Sequence, residues 1–101
     1  MIEACETVVG FARGRTAESF KSDLQFQFAA THALQIALEA ASHVGADTKA
    51  ALPQVEWAEM NRMRNRLVHA YFDTDLDILW RTITVAIPPL LGSLKRFLEE
   101  G

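Results

Sequence analysis

No stretch of this chain sustains the alternation of apolar and polar residues, bounded by hairpin turns, that a half-buried strand requires. Ala, Leu, Glu and Gln dominate instead, with apolar side chains recurring three and four residues apart. The sequence therefore predicts an all-α fold. At 101 residues the chain supplies one core and not two, so residues 1–101 read as a single domain.

The helices can be laid out from their caps and breakers. A short first helix covers Ile2 to Ala12, with Gly10 weakening it and Gly14 ending it. Thr16 to Ser22 reads as a linker anchored by Phe20. Asp23 is placed to cap a long second helix, which carries Leu24, Phe28, Leu34, Leu38 and Ala41 on helical spacing and stops near Gly45. Ala46 to Leu52 forms a short turn of helix before Pro53. A third helix runs from about Glu56 to Phe72, and Asp73-Thr74-Asp75 is a turn in which Thr74 or Asp75 starts the next helix. Pro88-Pro89 should kink or split that last segment before its amphipathic run Leu90 to Leu98. The sum is a bundle of four to five helices with short antiparallel connections.

Charge and composition exclude several classes. A net charge of −3 argues against coating nucleic acid over the whole surface, but a local basic cluster still sets its own potential within a Debye length. The lone Cys5 forms no internal disulfide, which suits a reducing cytoplasm. No apolar run approaches a membrane span, and Glu3 and Glu6 stand where a signal peptide carries basic residues, so the expectation is a cytoplasmic protein with no membrane partner. His32 and His43 have no carboxylate or Cys at ligand spacing, and no Gly-rich phosphate loop occurs, so neither a metal nor a cofactor is expected.

The chemistry concentrates in Arg64-Asn65-Arg66-Leu67-Val68-His69-Ala70-Tyr71. On a helical wheel Trp57, Met60, Met63, Leu67, Val68 and Ala70 form an apolar stripe that also contains Arg64 and Tyr71. Arg62, Asn65, Arg66 and His69 lie on the opposite side, where an anion could reach them. A guanidinium on an apolar face needs a counter-charge, either Glu39 or a carboxylate across a subunit interface. Arg64 and His69 are separated by roughly 140° of rotation. They can serve one site only if the helix distorts, ends early or lines a cleft such as a dimer interface would make. Arg binds phosphodiesters and His moves protons near neutral pH, so the pair suits phosphodiester chemistry. Arginine-rich helix faces are commonly just solvated, and Trp57 and Trp80 read as core.

Arg64-Asn65-x-x-x-His69-x-Tyr71 resembles the R-N-x-x-x-H-x-Y signature of HEPN domains, specifically the HepT branch of the HepT/MNT toxin–antitoxin modules. Trp57 lies seven before the arginine, Phe72-Asp73-x-Asp75, Trp80 and Pro88 follow, and Phe20-x-x-Asp23 and Leu38-Glu39-Ala40-Ala41 resemble the family's F-x-x-D and G-E-A-A segments. Leu38 replaces the family's glycine, Glu56 a proline, and the first helix is short. The resemblance implies a homodimeric, metal-independent ribonuclease toxin. His69 would assist attack of the 2′-hydroxyl, Arg64 would hold the phosphate and Asn65 would position the site; Arg62 and Arg66, on the polar face of the helix, are the candidate contacts to RNA phosphate. It further implies a nucleotidyltransferase antitoxin of the MNT type that modifies Tyr71 with AMP. Two other readings stand beside it: a non-catalytic helical module that binds nucleotide, RNA or the partner, and a structural subunit whose arginines build interface pairs.

Overall fold

The computed structural model of the protein describes residues 1–70 and 74–100, and among them every regular element is helical. In order these are α1 (Ile2–Ala12), α2 (Ala17–Ser22), α3 (Leu24–Ser42), α4 (Ala46–Ala51), α5 (Trp57–Ala70), α6 (Leu76–Arg81) and α7 (Ile87–Glu100). A π-helical turn, Thr82–Ala86, joins α6 to α7 without a break. The all-α expectation is met. The segments outnumber the four or five helices expected because α2, α4 and α6 are only six residues each. Tyr71, Phe72 and Asp73, which the sequence assigned to the end of the third helix and the following turn, lie outside the described residues.

Local chemistry explains most boundaries. At the end of α1, Arg13 N–H donates to Val9 O at 3.1 Å, and Gly14 follows with φ +75°, a left-handed conformation that costs a glycine nothing. The segment expected to be a linker instead folds as α2. Ser19 N–H donates to Thr16 Oγ1 at 3.1 Å and Thr16 N–H donates to Ser19 Oγ at 3.0 Å, a reciprocal cap that satisfies two otherwise orphaned donors. Asp23 caps α3 as expected, its Oδ1 accepting from Phe26 N–H at 3.1 Å. Asp75 rather than Thr74 caps α6, accepting from Asp77 N–H at 2.7 Å.

The two prolines do not break the last helix. Ile87 N–H donates to Thr82 O, five residues back, so the chain makes one wide turn just before Pro88 and Pro89. Pro88 and Pro89 are the second and third residues of α7 and follow that wide turn directly.

α1 packs on α3 and α7, α3 packs on α5, and α2 lies against α3 and α6. The interior is closed by Val8, Phe20, Leu34, Leu38, Leu79, Ile83 and Ile87, with Ala30, Ala33, Ala37 and Ala41 filling the buried face of α3. Phe20 is fully buried, with ring centroids 5.8 Å from Phe26 and 5.3 Å from Trp80, and fixes α2 to the core. On α5, Leu67 is buried and Trp57, Met60 and Met63 are half-buried, as the wheel predicts. Val68 departs from the predicted stripe and is 49% exposed, because a residue one step from Leu67 points about 100° away from it. No helix among the described residues is long and apolar enough to cross a membrane.

Candidate active site

Arg64 faces α3. Its Nε donates to Glu39 Oε2 at 2.5 Å and its Nη2 to Glu39 Oε1 at 3.2 Å, a two-bond grip across the α3–α5 contact. Of the two partners the sequence left open, Glu39 is the one present within the chain. The Arg64 side chain is 30% exposed and that of Glu39 44%, so the pair sits at the half-buried edge of the bundle. The bond from Arg64, with a smaller contribution from His43, holds the Glu39 carboxyl below the usual carboxylate range. The same bond holds the guanidinium charge of Arg64 more firmly still.

Two further groups join this pair. Arg64 Nη1 donates to Asn65 Oδ1 at 3.2 Å. On the other side, His43 Nε2 lies 3.3 Å from Glu39 Oε1, the oxygen that also accepts from Arg64. Four side chains thus make a chain from α3 to α5: His43, Glu39, Arg64, Asn65. The sequence reading gave His43 no carboxylate neighbour. The Glu39-x-x-x-His43 spacing was the missed signal, since residues four apart meet on a helix surface.

A guanidinium carries five N–H donors. Three of those on Arg64 are engaged by Glu39 and Asn65, which leaves one on each Nη for an anion. Free guanidinium donors of this kind are the groups with which arginine binds a phosphate.

His69 is exposed and forms no hydrogen bond or ion pair among the described residues, and the same holds for Arg66. Arg62 is exposed and ion-paired to Glu59 one turn earlier on α5. Because α5 is unbroken from Trp57 to Ala70, Arg64 and His69 keep their angular separation, and one subunit does not bring them into contact. Asn65 connects the two directions. It touches Arg64 on one side and stands four residues before His69 on the other, a spacing that puts Cβ atoms about 5–6 Å apart. Tyr71 lies outside the described residues.

A groove of about 620 Å³ opens beside this cluster, lined chiefly by Leu38, Val55, Met60, Met63, Ile78 and Val85. It contains none of Arg64, Asn65 or His69. No cluster of three or more His, Cys, Asp or Glu able to hold a metal ion occurs among the described residues.

Among the described residues the fold is all-helical and carries Arg64 bonded to Glu39 and Asn65, with the exposed His69 one turn beyond Asn65. Residues 1–98 match the family model described as Ribonuclease HepT-like, and the chain belongs to that family. It is 40% identical over 94 residues to a protein of Thermococcus cleftensis named "Probable ribonuclease HepT", covering 93% of this chain and 86% of that one. A protein of Methanocaldococcus jannaschii named as a candidate RNase is 29% identical over 90 residues, with 89% and 83% covered. One from Caldanaerobacter subterraneus subsp. tengcongensis, likewise named, is 29% identical over 100 residues, with 99% and 89% covered. No solved structure matches the chain.

Proposed function

We propose that this protein is a metal-independent endoribonuclease, the toxin of a toxin–antitoxin pair, and that Arg64, Asn65 and His69 form its catalytic set. The reading is supported by membership of a ribonuclease family and by one geometric observation. Arg64, gripped by Glu39, reaches Asn65, and Asn65 shares a helix face with His69. Asn65 thereby stands between Arg64, where a phosphate would be held, and the exposed His69.

His69 takes the proton of the RNA 2′-hydroxyl as that oxygen bonds to the adjacent phosphorus. The bond from phosphorus to the 5′ oxygen breaks, and that oxygen receives a proton in turn, leaving a 2′,3′-cyclic phosphate and a 5′-hydroxyl. Arg64 neutralises the charge that builds on the phosphoryl oxygens. Arg66, exposed and unpaired among the described residues, contributes a backbone contact, and Arg62 does so once released from Glu59. A second copy of the chain supplies the opposing wall of the cleft, because a single α5 leaves Arg64 and His69 facing apart. The exposed Val68 next to His69 is the kind of apolar residue that such an interface covers.

The partner in this reading is a nucleotidyltransferase antitoxin of the MNT type that transfers AMP to the hydroxyl of Tyr71. A phosphodiester added two residues from His69 places negative charge where RNA phosphate must approach. The test is to incubate unmodified protein with RNA in EDTA and identify the product ends. Cyclic phosphate and 5′-hydroxyl termini are expected. Intact RNA across a broad substrate panel overturns the reading.

A further inference from the structure

Cleavage of an RNA strand moves two protons. His69 takes the one from the 2′-hydroxyl, and the 5′ oxygen must receive another as its bond to phosphorus breaks. Few groups near Arg64 can supply that second proton. Arginine keeps its protons in a protein, and the amide of Asn65 is no acid. Glu39 is held as a carboxylate by Arg64 and has no proton to give. His69 begins the step as the base and cannot be the acid of the same step. His32 stands seven residues before Glu39, about 10 Å away along α3.

His43 is placed differently. It caps the end of α3, its backbone N–H donating to Ala40 O at 3.2 Å, so the root of its side chain is fixed by the helix. Its Nε2 lies 3.3 Å from Glu39 Oε1, and Arg64 Nη2 lies 3.2 Å from the same oxygen. The imidazole is therefore joined to the phosphate ligand through one shared atom. A carboxylate offers only acceptors, so Nε2 carries the hydrogen toward Glu39, and the proton the ring gains and loses is the one on Nδ1. Nδ1 has no partner among the described residues, and the side chain is 76% exposed. One nitrogen anchored on a carboxylate and the other open to a reactant is the arrangement of an oriented proton-transfer imidazole. His69 has no such orienting group among the described residues.

We infer that His43 is the general acid of the cleavage and donates its Nδ1 proton to the 5′ oxygen of a phosphodiester held by Arg64. The inference rests on the ribonuclease reading for its reaction. As the 2′ oxygen bonds to phosphorus, His69 takes its proton. The electron pair of the bond from phosphorus to the 5′ oxygen moves onto that oxygen, which takes the proton of the His43 imidazolium. His43 is left neutral with Nε2–H still on Glu39, and proton exchange with water returns both rings to their starting forms. Glu39 then orients two groups at once, the acid through Oε1 and the phosphate ligand through both oxygens.

The test compares two RNAs that differ at one atom, with sulfur in place of the bridging 5′ oxygen in the second. A thiol ionises near about pH 8.5, far below an alcohol, so the sulfur leaves without a proton and needs no acid. Parent, His43→Ala and His43→Gln proteins are assayed on both RNAs in EDTA, each with its melting temperature. Gln keeps an N–H donor for Glu39 but has no proton to transfer. Both variants are expected to melt like the parent, to lose at least about 100-fold on ordinary RNA and to cut the sulfur-substituted RNA at close to the parent rate. The ratio of the two rates is internal to each protein, so partial unfolding does not imitate that selective loss. Equal losses on both RNAs in a folded variant, or restoration by Gln, overturn the donor role. So does an undiminished rate on ordinary RNA, which leaves water or the second copy's His69 as the source. A parent that cuts neither RNA overturns the ribonuclease reading, and the donor role falls with it.

Discussion

Glu39 grips Arg64 by both carboxylate oxygens, at 2.5 Å to Nε and 3.2 Å to Nη2, and this contact ties the last turn of α3 to the middle of α5. Its consequence is orientation. The Nε and Nη2 edge of the guanidinium is occupied by Glu39, and Asn65 Oδ1 holds Nη1. Glu39→Ala is expected to leave the helical circular dichroism signal intact while lowering the cleavage rate by about tenfold or more, since a misplaced phosphate ligand loses transition-state contact. Unchanged or faster cleavage would mean that Glu39 competes with phosphate rather than aiming Arg64.

The same contact has a pH signature. Arg64 and, to a lesser degree, His43 lower the pKa of Glu39 in the folded state, so the stabilisation it brings is present above the ordinary carboxylate range. It is lost as pH falls through the folded-state value. The melting-temperature difference between the parent and Glu39→Gln should therefore be larger near pH 7 than near pH 3. A difference that grows toward acid contradicts the sign.

Thr31 makes a separate stability prediction. Its buried hydroxyl has no partner, and Val reproduces its shape without that group, so Thr31→Val is expected to stabilise the protein by about 1 kcal/mol. Denaturant unfolding measures this directly, and a destabilised variant would show that the hydroxyl is satisfied in solution.

Phe20 is the anchor of α2. With its ring fully buried against Phe26 and Trp80, Phe20→Ala should cost about 3–5 kcal/mol and shift the Trp80 fluorescence to the red as the indole gains water. A loss below about 1 kcal/mol would show that α2 is not held by this contact.

How far the sequence exposed this architecture depended on whether a signal was local. Asp23, Gly14 and the span of α1 were legible because caps and left-handed turns depend on a few adjacent residues. Glu39 was named as a partner for Arg64 because a charge on an apolar face demands one. The cap of α2 was missed because Ser19 stands where Glu or Gln usually completes the box. Pro88-Pro89 was read as a kink or a split, and the wide turn that carries the helix through it rests on a hydrogen bond five residues back, which no residue type announces. Val68 was assigned to the core because a wheel does not fix how wide the buried arc is.

The central claim is that Arg64 and His69 together cut RNA, and the most direct measurement is the cleavage rate in EDTA of unmodified parent, Arg64→Ala and His69→Ala proteins, each with its melting temperature. The account predicts cleavage by the parent and a loss of at least about 100-fold in both variants, with His69→Ala melting like the parent because His69 is exposed and has no partner among the described residues. Cleavage that survives both substitutions, or that requires a divalent cation, would contradict it.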